Sequence, residues 1–476
     1  MNTNPSPEES AEIRELLRIY RNLEAGRPGS FLEEEAFERL AVYFDEQENL
    51  KEAFRVVETG LGIFPYSGVL HLKKADLLLS ERKYESALHV LRSAELLDGI
   101  STELIILKTE AFLALDRQEK AITLLEEALH QFEGDERIEL LFELSDVYDD
   151  YEQFDKVFDC LKIILEESPQ NEEALYKICY WTDFTGRNEE SIRIHLNIIE
   201  EHPFSELAWF NLGAAYQGLK LYEKSIDAYM YCVAIDEKFD YAYRNMGDAY
   251  IRMRKYKDAI EVLKKVEELS LPEDVIFKAI GYCYEKLRQP AQARIYYRKA
   301  SHLDKEDSKL YYKIACTYLD EDKYEQAVKQ LEIALQINRK HPDYNMAMGY
   351  ALAGLQDYRQ ALDYFTKVIA VRPKHVKGWC GLLDCLAQFG VWKELNQAAA
   401  KACIATGQKP IFLVYRAIAC LMMKKAKPAI VFLEEAMEVS PNTVKKLIKL
   451  NPSLLQFPQV TTFLEKHKKA SKKKKK

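Results

Sequence analysis

A period of 34 residues runs from residue 34 to residue 443 and constrains the fold of this 476-residue chain more than any other feature. Repeats start at 34, 68, 102, 138, 172, 206, 240, 274, 308, 342, 376 and 410, twelve in all. The register slips once, by the two residues Glu136 and Arg137. A sequence repeating on this scale builds stacked supersecondary pieces, none of which buries its apolar face alone. Such an array presents extended surface rather than an enclosed reaction pocket.

The twentieth place of the repeat holds Ala53, Ala87, Ala121, Ala259, Ala293, Ala327, Ala361 and Ala429, with Ser191 and Ser225 in two more. The eighth place is small throughout (Ala41, Ala75, Thr109, Ser145, Cys179, Gly213, Gly247, Gly281, Ala315, Gly349, Ala417) except at Leu383. Two small columns twelve residues apart suit antiparallel helices in close approach, because side-chain bulk at the crossing sets the interaxial distance. Large rings surround them: Trp209, Tyr243, Phe277, Tyr311 and Trp379 at the fourth place, and Phe44, Phe112, Tyr148, Tyr216, Tyr250, Tyr284 and Tyr318 at the eleventh. Pro65, Pro169, Pro203, Pro373 and Pro441 recur at the thirty-second place, where proline ends a second helix and opens a turn.

Small columns, aromatic columns and a punctuating proline at this length resemble the tetratricopeptide repeat. Trp209, Leu212, Gly213, Tyr216 and Tyr229 give the repeat starting at 206 the fullest match, while Val157, Leu395 and His71 depart from the pattern. The resemblance covers about 410 residues and likens the chain to long, repeat-only bacterial members of that family. It implies an all-α fold: a right-handed superhelical α-solenoid of about twelve helix-turn-helix repeats with capping helices.

Four segments are expected: a capping helix and linker over 1–33, the repeats over 34–443, a capping segment over 444–465 and a disordered lysine-rich tail over 466–476. Ser6, Pro7 and Glu8 start a helix whose stripe of Ile13, Leu16, Leu17, Tyr20 and Leu23 covers the first repeat. Ser30 and Glu33 have the spacing of a capping box. Val444, Leu447, Ile448, Leu454, Leu455, Phe457, Val460, Phe463 and Leu464 supply apolar surface for the other end. End repeats need such covers because one face lacks a neighbour.

The start of the chain has no basic segment followed by an apolar core, so no secretory signal is expected. The longest apolar stretch, Ile411 to Met423, contains Arg416 and falls short of the roughly twenty residues that span a bilayer. Nine cysteines with no Cys-x-x-Cys pair point to structural thiols in a reducing cytoplasm. Charge is divided unevenly: residues 1–200 carry 44 acidic and 21 basic residues, whereas the other 276 carry 32 acidic and 46 basic. Eight of those bases crowd the end as Lys466, Lys468, Lys469 and Lys472 to Lys476. That tail is read as a solubilising segment, with contact of Lys472 to Lys476 to nucleic acid or an acidic membrane as the lesser alternative.

No phosphate loop, catalytic serine motif or Cys/His metal cluster is present, and the repeats leave no room for a catalytic domain. His195 falls in a core column, so it reads as a satisfied core histidine rather than a ligand. The chain is therefore expected to be no enzyme, with no cofactor, no metal and no small-molecule substrate. In the family it resembles, the first helix of each repeat lines a concave groove through the second, fifth, ninth and twelfth places. Over the central repeats this selects Phe142, Tyr176, Phe210, Arg244, Lys278 and Tyr312 at the fifth place. Asp146, Tyr180 and Tyr282 follow at the ninth. Asn211 and Asn245, at the sixth place, are spaced to bond either an extended peptide or a neighbouring helix. Rings with cations suit peptide recognition, since rings give area at low entropy cost and Arg or Lys holds carboxylates. The Lys-then-Asn pair by which some members clamp a C-terminal carboxylate is missing: Lys278 is followed by Tyr282 and Arg244 by Asp248.

These features point to a protein–protein interaction scaffold or adaptor that binds a peptide or helix of a partner in a groove centred on residues 140–320. Two other readings stand beside it. One is a nucleic-acid-associated protein using the lysine tail, against which the acidic first 200 residues would repel phosphate. The other is a homo-oligomer in which acidic and basic ends meet.

Overall fold

The computed structural model describes residues 7–27, 29–441, 456–458 and 460–463. The chain divides into two compact units, Met1–Glu237 and Lys238–Lys476. In the N-terminal unit α1 (Pro7–Glu24) precedes six helix pairs. These are α2 (Glu34–Glu46) with α3 (Leu50–Ile63), α4 (Gly68–Ser80) with α5 (Tyr84–Asp98), and α6 (Thr102–Ala114) with α7 (Gln118–Ala128). Next come α8 (Gly134–Asp150) with α9 (Phe154–Glu167), α10 (Glu172–Thr185) with α11 (Asn188–Glu201), and α12 (Glu206–Gly218) with α13 (Tyr222–Ile235). The C-terminal unit begins with α14 (Asp240–Arg252) and α15 (Tyr256–Leu269), α16 (Asp274–Lys286) and α17 (Pro290–Leu303), then α18 (Ser308–Leu319) and α19 (Tyr324–Ile337). It continues with α20 (Pro342–Gly354) and α21 (Tyr358–Val371), α22 (Val376–Gln388) and α23 (Trp392–Thr406), and α24 (Pro410–Met422) and α25 (Ala426–Val439). The principal contacts join helices adjacent in sequence. The fold is all-α, a succession of helix pairs.

What holds each pair together is a trade of volume between the eighth and twenty-fourth places. A Cβ added to Gly213 would lie 2.6 Å from the Tyr229 ring, and one added to Gly349 would lie 2.7 Å from the Phe365 ring. Where the eighth place is alanine, its counterpart shrinks to Val57, Leu91, Leu331 or Leu433. Leu383, which breaks the small column, is paired in this register with Ala399, and both are fully buried in one core. Summed volume across the crossing is thus nearly conserved in these pairs, as close packing demands, while Gly247 against Leu263 makes a smaller one. The eight alanines of the twentieth place are all fully buried.

The turn inside each pair is equally regular. Residue fifteen adopts a left-handed conformation in every repeat, yet only Gly186 and Gly390 are glycines there. The other ten are side-chain-bearing residues such as Lys220, Arg288 and Gln356, with φ of 61°, 57° and 64°. Backbone hydrogen bonds hold them: Lys220 N–H donates to the Gln217 carbonyl at 2.8 Å and Leu221 N–H to that of Tyr216 at 2.9 Å. This double closure satisfies carbonyls that the helix end would otherwise leave bare. At the other turn the thirty-fourth place serves as N-cap, with Ser67, Asn171 and Ser205 accepting from the N–H groups of Leu70, Ala174 and Ala208. Trp209 and Trp379 donate their indole N–H to the carbonyls of Pro203 and Pro373, at 2.9 and 2.8 Å, so the fourth-place ring clips the proline turn.

Two expectations need correction. The slip at Glu136 and Arg137 is absorbed by an 11-residue α7 and a 17-residue α8 that starts at Gly134, ahead of residue 138. Asp135 and Glu136 favour that early start by placing negative charge in the first turn. Arg137 donates to the Leu129 carbonyl just beyond α7 and pairs with Glu167, closing the gap. The capping box also does not form, because Glu33 is the N-cap of α2 and makes no side-chain cap bond. Leu32, 3 % exposed, is drawn into the first core, and that delays the helix.

At the N-terminal end α1 lays Tyr20 against Phe37, ring centroids 6.3 Å apart, with Leu16, Leu17 and Leu23 packed on the same core. At the C-terminal end Val460 and Phe463 are buried in the core of the C-terminal unit. Val444, Leu447, Ile448, Leu454, Leu455, Leu464 and the lysine tail lie outside the described residues. The nine cysteines are unbridged, and no described helix is long and apolar enough to cross a membrane.

The volume trade predicts coupled substitutions. Gly349→Ala and Phe365→Leu should each destabilise by about 1–3 kcal/mol, and their combination, which recreates the Ala315–Leu331 pairing, should cost at least ~1 kcal/mol less than the sum. Urea denaturation of the four proteins measures this; strict additivity would refute the pairing. Arg288→Gly, by relieving a left-handed residue, should stabilise by about 0.5–1 kcal/mol in the same assay.

Candidate functional site

In α10 the helical period divides the residues sharply. Ala174, Leu175, Ile178, Trp181 and Thr182 turn inward and are buried. The residues between them, Tyr176 and Tyr180, are each 61 % exposed, and Phe184 one turn later is 54 % exposed. The outward rings do not hang freely. Tyr180 meets Trp181 edge-on with centroids 4.9 Å apart and stacks on Phe184 at 5.9 Å. Phe154 from α9 stacks on Trp181 at 5.4 Å and meets Phe184 edge-on at 4.7 Å. A buried tryptophan thus anchors a cluster whose outer members face solvent.

The neighbouring first helix, α8, supplies charge. Asp146 and Asp149 line the same cleft as Tyr180, Trp181 and Lys177. The Lys177 ammonium is 3.4 Å from Asp146 and 2.9 Å from Glu173, and sits 5.0 Å from the centre of the half-buried Phe142 ring. Further along α8, burial first and then the carboxylates of Asp146, Glu110, Glu139 and Asp150 raise the carboxyl of Glu143. Phe142, Asp146, Tyr176 and Tyr180 are thereby brought onto adjoining helices of the N-terminal unit. Phe210, on α12, is half-buried against Tyr229, with centroids 5.6 Å apart.

Asn211 has a different place from that of a groove residue. It is 2 % exposed, and its amide donates to the Leu175 carbonyl at 2.7 Å and to His195 Nε2 at 3.2 Å. His195 Nδ1–H in turn donates to the Ser191 carbonyl at 2.7 Å. Since a carbonyl can only accept, Nδ1 carries the proton and Nε2 is left to receive the asparagine N–H. The amide ties α12 to α10 of the preceding repeat. Complete burial pushes the His195 imidazole down to about 4, so it stays neutral.

In the C-terminal unit the two cations expected to hold a ligand carboxylate are already engaged. Arg244 forks onto Glu273 at 2.5 and 2.8 Å and onto Asp240 at 2.9 Å. These bonds, that to Glu273 first, raise its guanidinium further above its ordinary range. Lys278 repeats the arrangement with Asp274 at 2.6 Å and Asp307 at 2.8 Å. Each base bridges the first residue of its own helix and the residue that caps the next pair, so both serve the stacking of repeats. Tyr282 is half-buried, 6.2 Å from the Tyr256 centroid and under Lys286 at 4.9 Å, and Tyr312 packs on Tyr344 at 5.0 Å. Asn245 is half-buried on α14.

Sequence reasoning passed over Phe184, Trp181, Asp149 and Lys177. Phe184 was within reach, since it continues the Tyr176 and Tyr180 stripe at the same four-residue step. The anchoring role of Phe154, which comes from another repeat, carries no local signal. Among the described residues no group of His, Cys, Asp or Glu side chains converges as metal ligands would.

Residues 346–403 match the family model described as tetratricopeptide repeat, and residues 214–348 match the model for the C-terminal ARM domain of tetratricopeptide repeat protein 21. Among curated proteins none matches significantly. The crystal structure of YrrB, a TPR protein with an unusual peptide-binding site, is similar at 21 % identity and a TM-score of 0.36, covering 39 % of this chain and 95 % of that one. The C-terminal part of a TPR repeat-containing protein from Cytophaga hutchinsonii is similar at 17 % identity and a TM-score of 0.44, over 49 % of this chain and 95 % of that one. The APC/C hetero-tetramer Cut9-Hcn1 shows 12 % identity and a TM-score of 0.33, over 86 % and 93 %.

The buried histidine makes stability depend on pH. Its imidazole titrates near 4 when folded against an ordinary 6.5, so on acidification the unfolded chain takes up the proton first. This contribution is complete above about pH 6.5 and is lost progressively towards pH 4, on the order of 3 kcal/mol in all. Urea melts at pH 7 and pH 5 should show His195→Gln losing about 2 kcal/mol less between them than the wild type does. Equal losses would show that His195 titrates normally.

Proposed function

The chain is a tetratricopeptide-repeat protein, and from that premise we propose that it is a non-enzymatic scaffold or adaptor that binds a segment of a partner protein along the outward face of its first helices. Proteins of this family typically mediate protein–protein interactions. The observation that carries the proposal is the stripe of exposed rings on α10, Tyr176, Tyr180 and Phe184, of which Tyr180 and Phe184 are held in place by Trp181 and Phe154. Rings fixed before binding offer large contact area with little rotamer entropy left to lose, which is what anchors of an interface need. Nothing in the packing of the pair requires them outside, since its core is filled by the opposite face of the helix. Nine thiols with no bridge among them suit a reducing cytoplasm.

The site narrows relative to the span 140–320. Tyr176 and Tyr180, with Asp146 and Phe142 beside them, are its centre in the N-terminal unit, whereas Asn211, Arg244 and Lys278 are occupied in holding the repeats together.

A photo-cross-linking amino acid at position 176 or 180 should give discrete adducts with partner protein in the native cell. The same group at Leu196, 45 % exposed on α11 of the same pair, should give at most a tenth of that yield. Tyr176→Ala with Tyr180→Ala should abolish capture while shifting stability by no more than about 0.5 kcal/mol, as exposed substitutions do. Equal adduct yields from α10 and α11 would overturn the assignment of the face.

A further inference from the structure

The exposed rings of α10 stand beside a helix whose charge is almost entirely of one sign. After Arg137, α8 carries Glu139, Glu143, Asp146, Asp149 and Asp150 and no base, and residues 101–150 as a whole hold fourteen acids against four bases. Asp146 keeps 67 % of its side chain exposed and Asp149 is exposed too. Arg137 itself is bound to Glu167 and to the Leu129 carbonyl. The cation that does lie between α8 and α10 is Lys177. Its ammonium rests on Asp146 and Glu173 and above the Phe142 ring. The molecule thus displays, with its own lysine, how this surface receives a positive charge: an aromatic face beneath and a carboxylate at the side.

From this juxtaposition we propose that the α8–α10 surface of the N-terminal unit takes a lysine- or arginine-bearing segment of a partner protein, its cationic side chains seated between Tyr180 and Phe184 and the carboxylates of Asp146 and Asp149. The proposal rests on the binding face assigned above and names the chemistry of the occupant. Rings attract the face of a cation through their quadrupole and give apolar area to the long stems of lysine and arginine. Carboxylates on one side only favour a positive partner and repel a negative one, which sets specificity and speeds encounter. Burial first, and then the like charges of Asp146 and its neighbours, raise the Glu143 carboxyl, and a cation would relieve the second of these. An acidic or C-terminal carboxylate ligand would meet repulsion instead.

The test uses the full chain and two fluorescein-labelled dodecapeptides, three copies of Ala-Lys-Leu-Lys and three copies of Ala-Glu-Leu-Glu. Fluorescence polarisation at low salt should show the lysine peptide binding at least tenfold more tightly than the glutamate peptide, with affinity falling as salt rises. Tyr180→Ala with Phe184→Ala should weaken the lysine peptide about tenfold. Asp146→Asn with Asp149→Asn, at exposed positions that leave the core untouched, should bring the two peptides within threefold of each other. Equal binding of both peptides by the wild type overturns the proposal, as does lysine-peptide binding that both double variants leave unchanged. Removal of residues 466–476 should alter the lysine-peptide affinity by less than twofold. A gain of fivefold or more would make the chain's own tail the occupant and overturn the assignment to a partner. If neither peptide binds while position 180 still cross-links a partner, the cationic chemistry fails and the binding face stands. If neither signal is seen, the face itself fails.

Discussion

Each pair of helices closes where the eighth place of one meets the twenty-fourth place of the other, and the rest of the molecule follows from that contact. Gly213 against Tyr229 and Gly349 against Phe365 bring two backbones together over a large flat ring. Alanine against leucine does the same with smaller pieces. Because this inner contact uses one stripe of the first helix, the opposite stripe is released from packing duty. On α10 the released positions are Tyr176, Tyr180 and Phe184, and their presence in solvent is a by-product of core geometry. A ring in that position costs the fold little.

The first helices differ in how they spend their outward positions. In the C-terminal unit the fifth place holds Arg244 and Lys278, each pinned between an acid of its own helix and the acid that caps the next pair. Such bridges are partly shielded from water and occupy the charge fully, so they register one repeat on the next. In the N-terminal unit the fifth place holds Phe142, Tyr176 and Phe210, which form no such clasp. There the contacts between repeats include the buried bond from the Asn211 amide to the Leu175 carbonyl and the Lys73–Asp45 and Lys177–Asp146 ion pairs. The same column therefore holds ion pairs between repeats at Arg244 and Lys278 and an exposed ring at Tyr176.

How far the sequence could be read follows from what a period reveals. The first helices of most pairs begin at the very residues where the period restarts, among them Glu34, Gly68, Glu206 and Pro410, because proline turns and N-caps recur in phase. Long-range partners were illegible. Arg244 and Glu273 are 29 residues apart, and the pairing of Leu383 with Ala399 shows only when helices are set side by side. The small eighth-place column was visible, but its complement at the twenty-fourth was not, since valine, leucine, tyrosine, phenylalanine and histidine look unrelated until their volumes are compared with their neighbours. Asn211 was ambiguous for the same reason: an amide suits a ligand and a carbonyl of the preceding repeat equally well, and only burial decides. Exposed rings were easier, because helical spacing alone separates Tyr176 and Tyr180 from Leu175 and Ile178.

Because the two halves of each volume trade lie within a single repeat, most repeats carry their own complement and form self-contained units of inheritance. A duplication or loss of 34 residues would keep the Gly349–Phe365 or Leu383–Ala399 match inside its repeat, although the Phe365 ring also lies against Gly381 of the repeat after it. The repeat holding Asn211 lacks that freedom. Its asparagine needs the Leu175 carbonyl and the His195 ring of the repeat before it, so those two repeats can be copied or transplanted only as a couple. That bond joins the repeat bearing Tyr176 and Tyr180 to its successor, so the candidate binding face lies in a stretch of the chain that resists reshuffling.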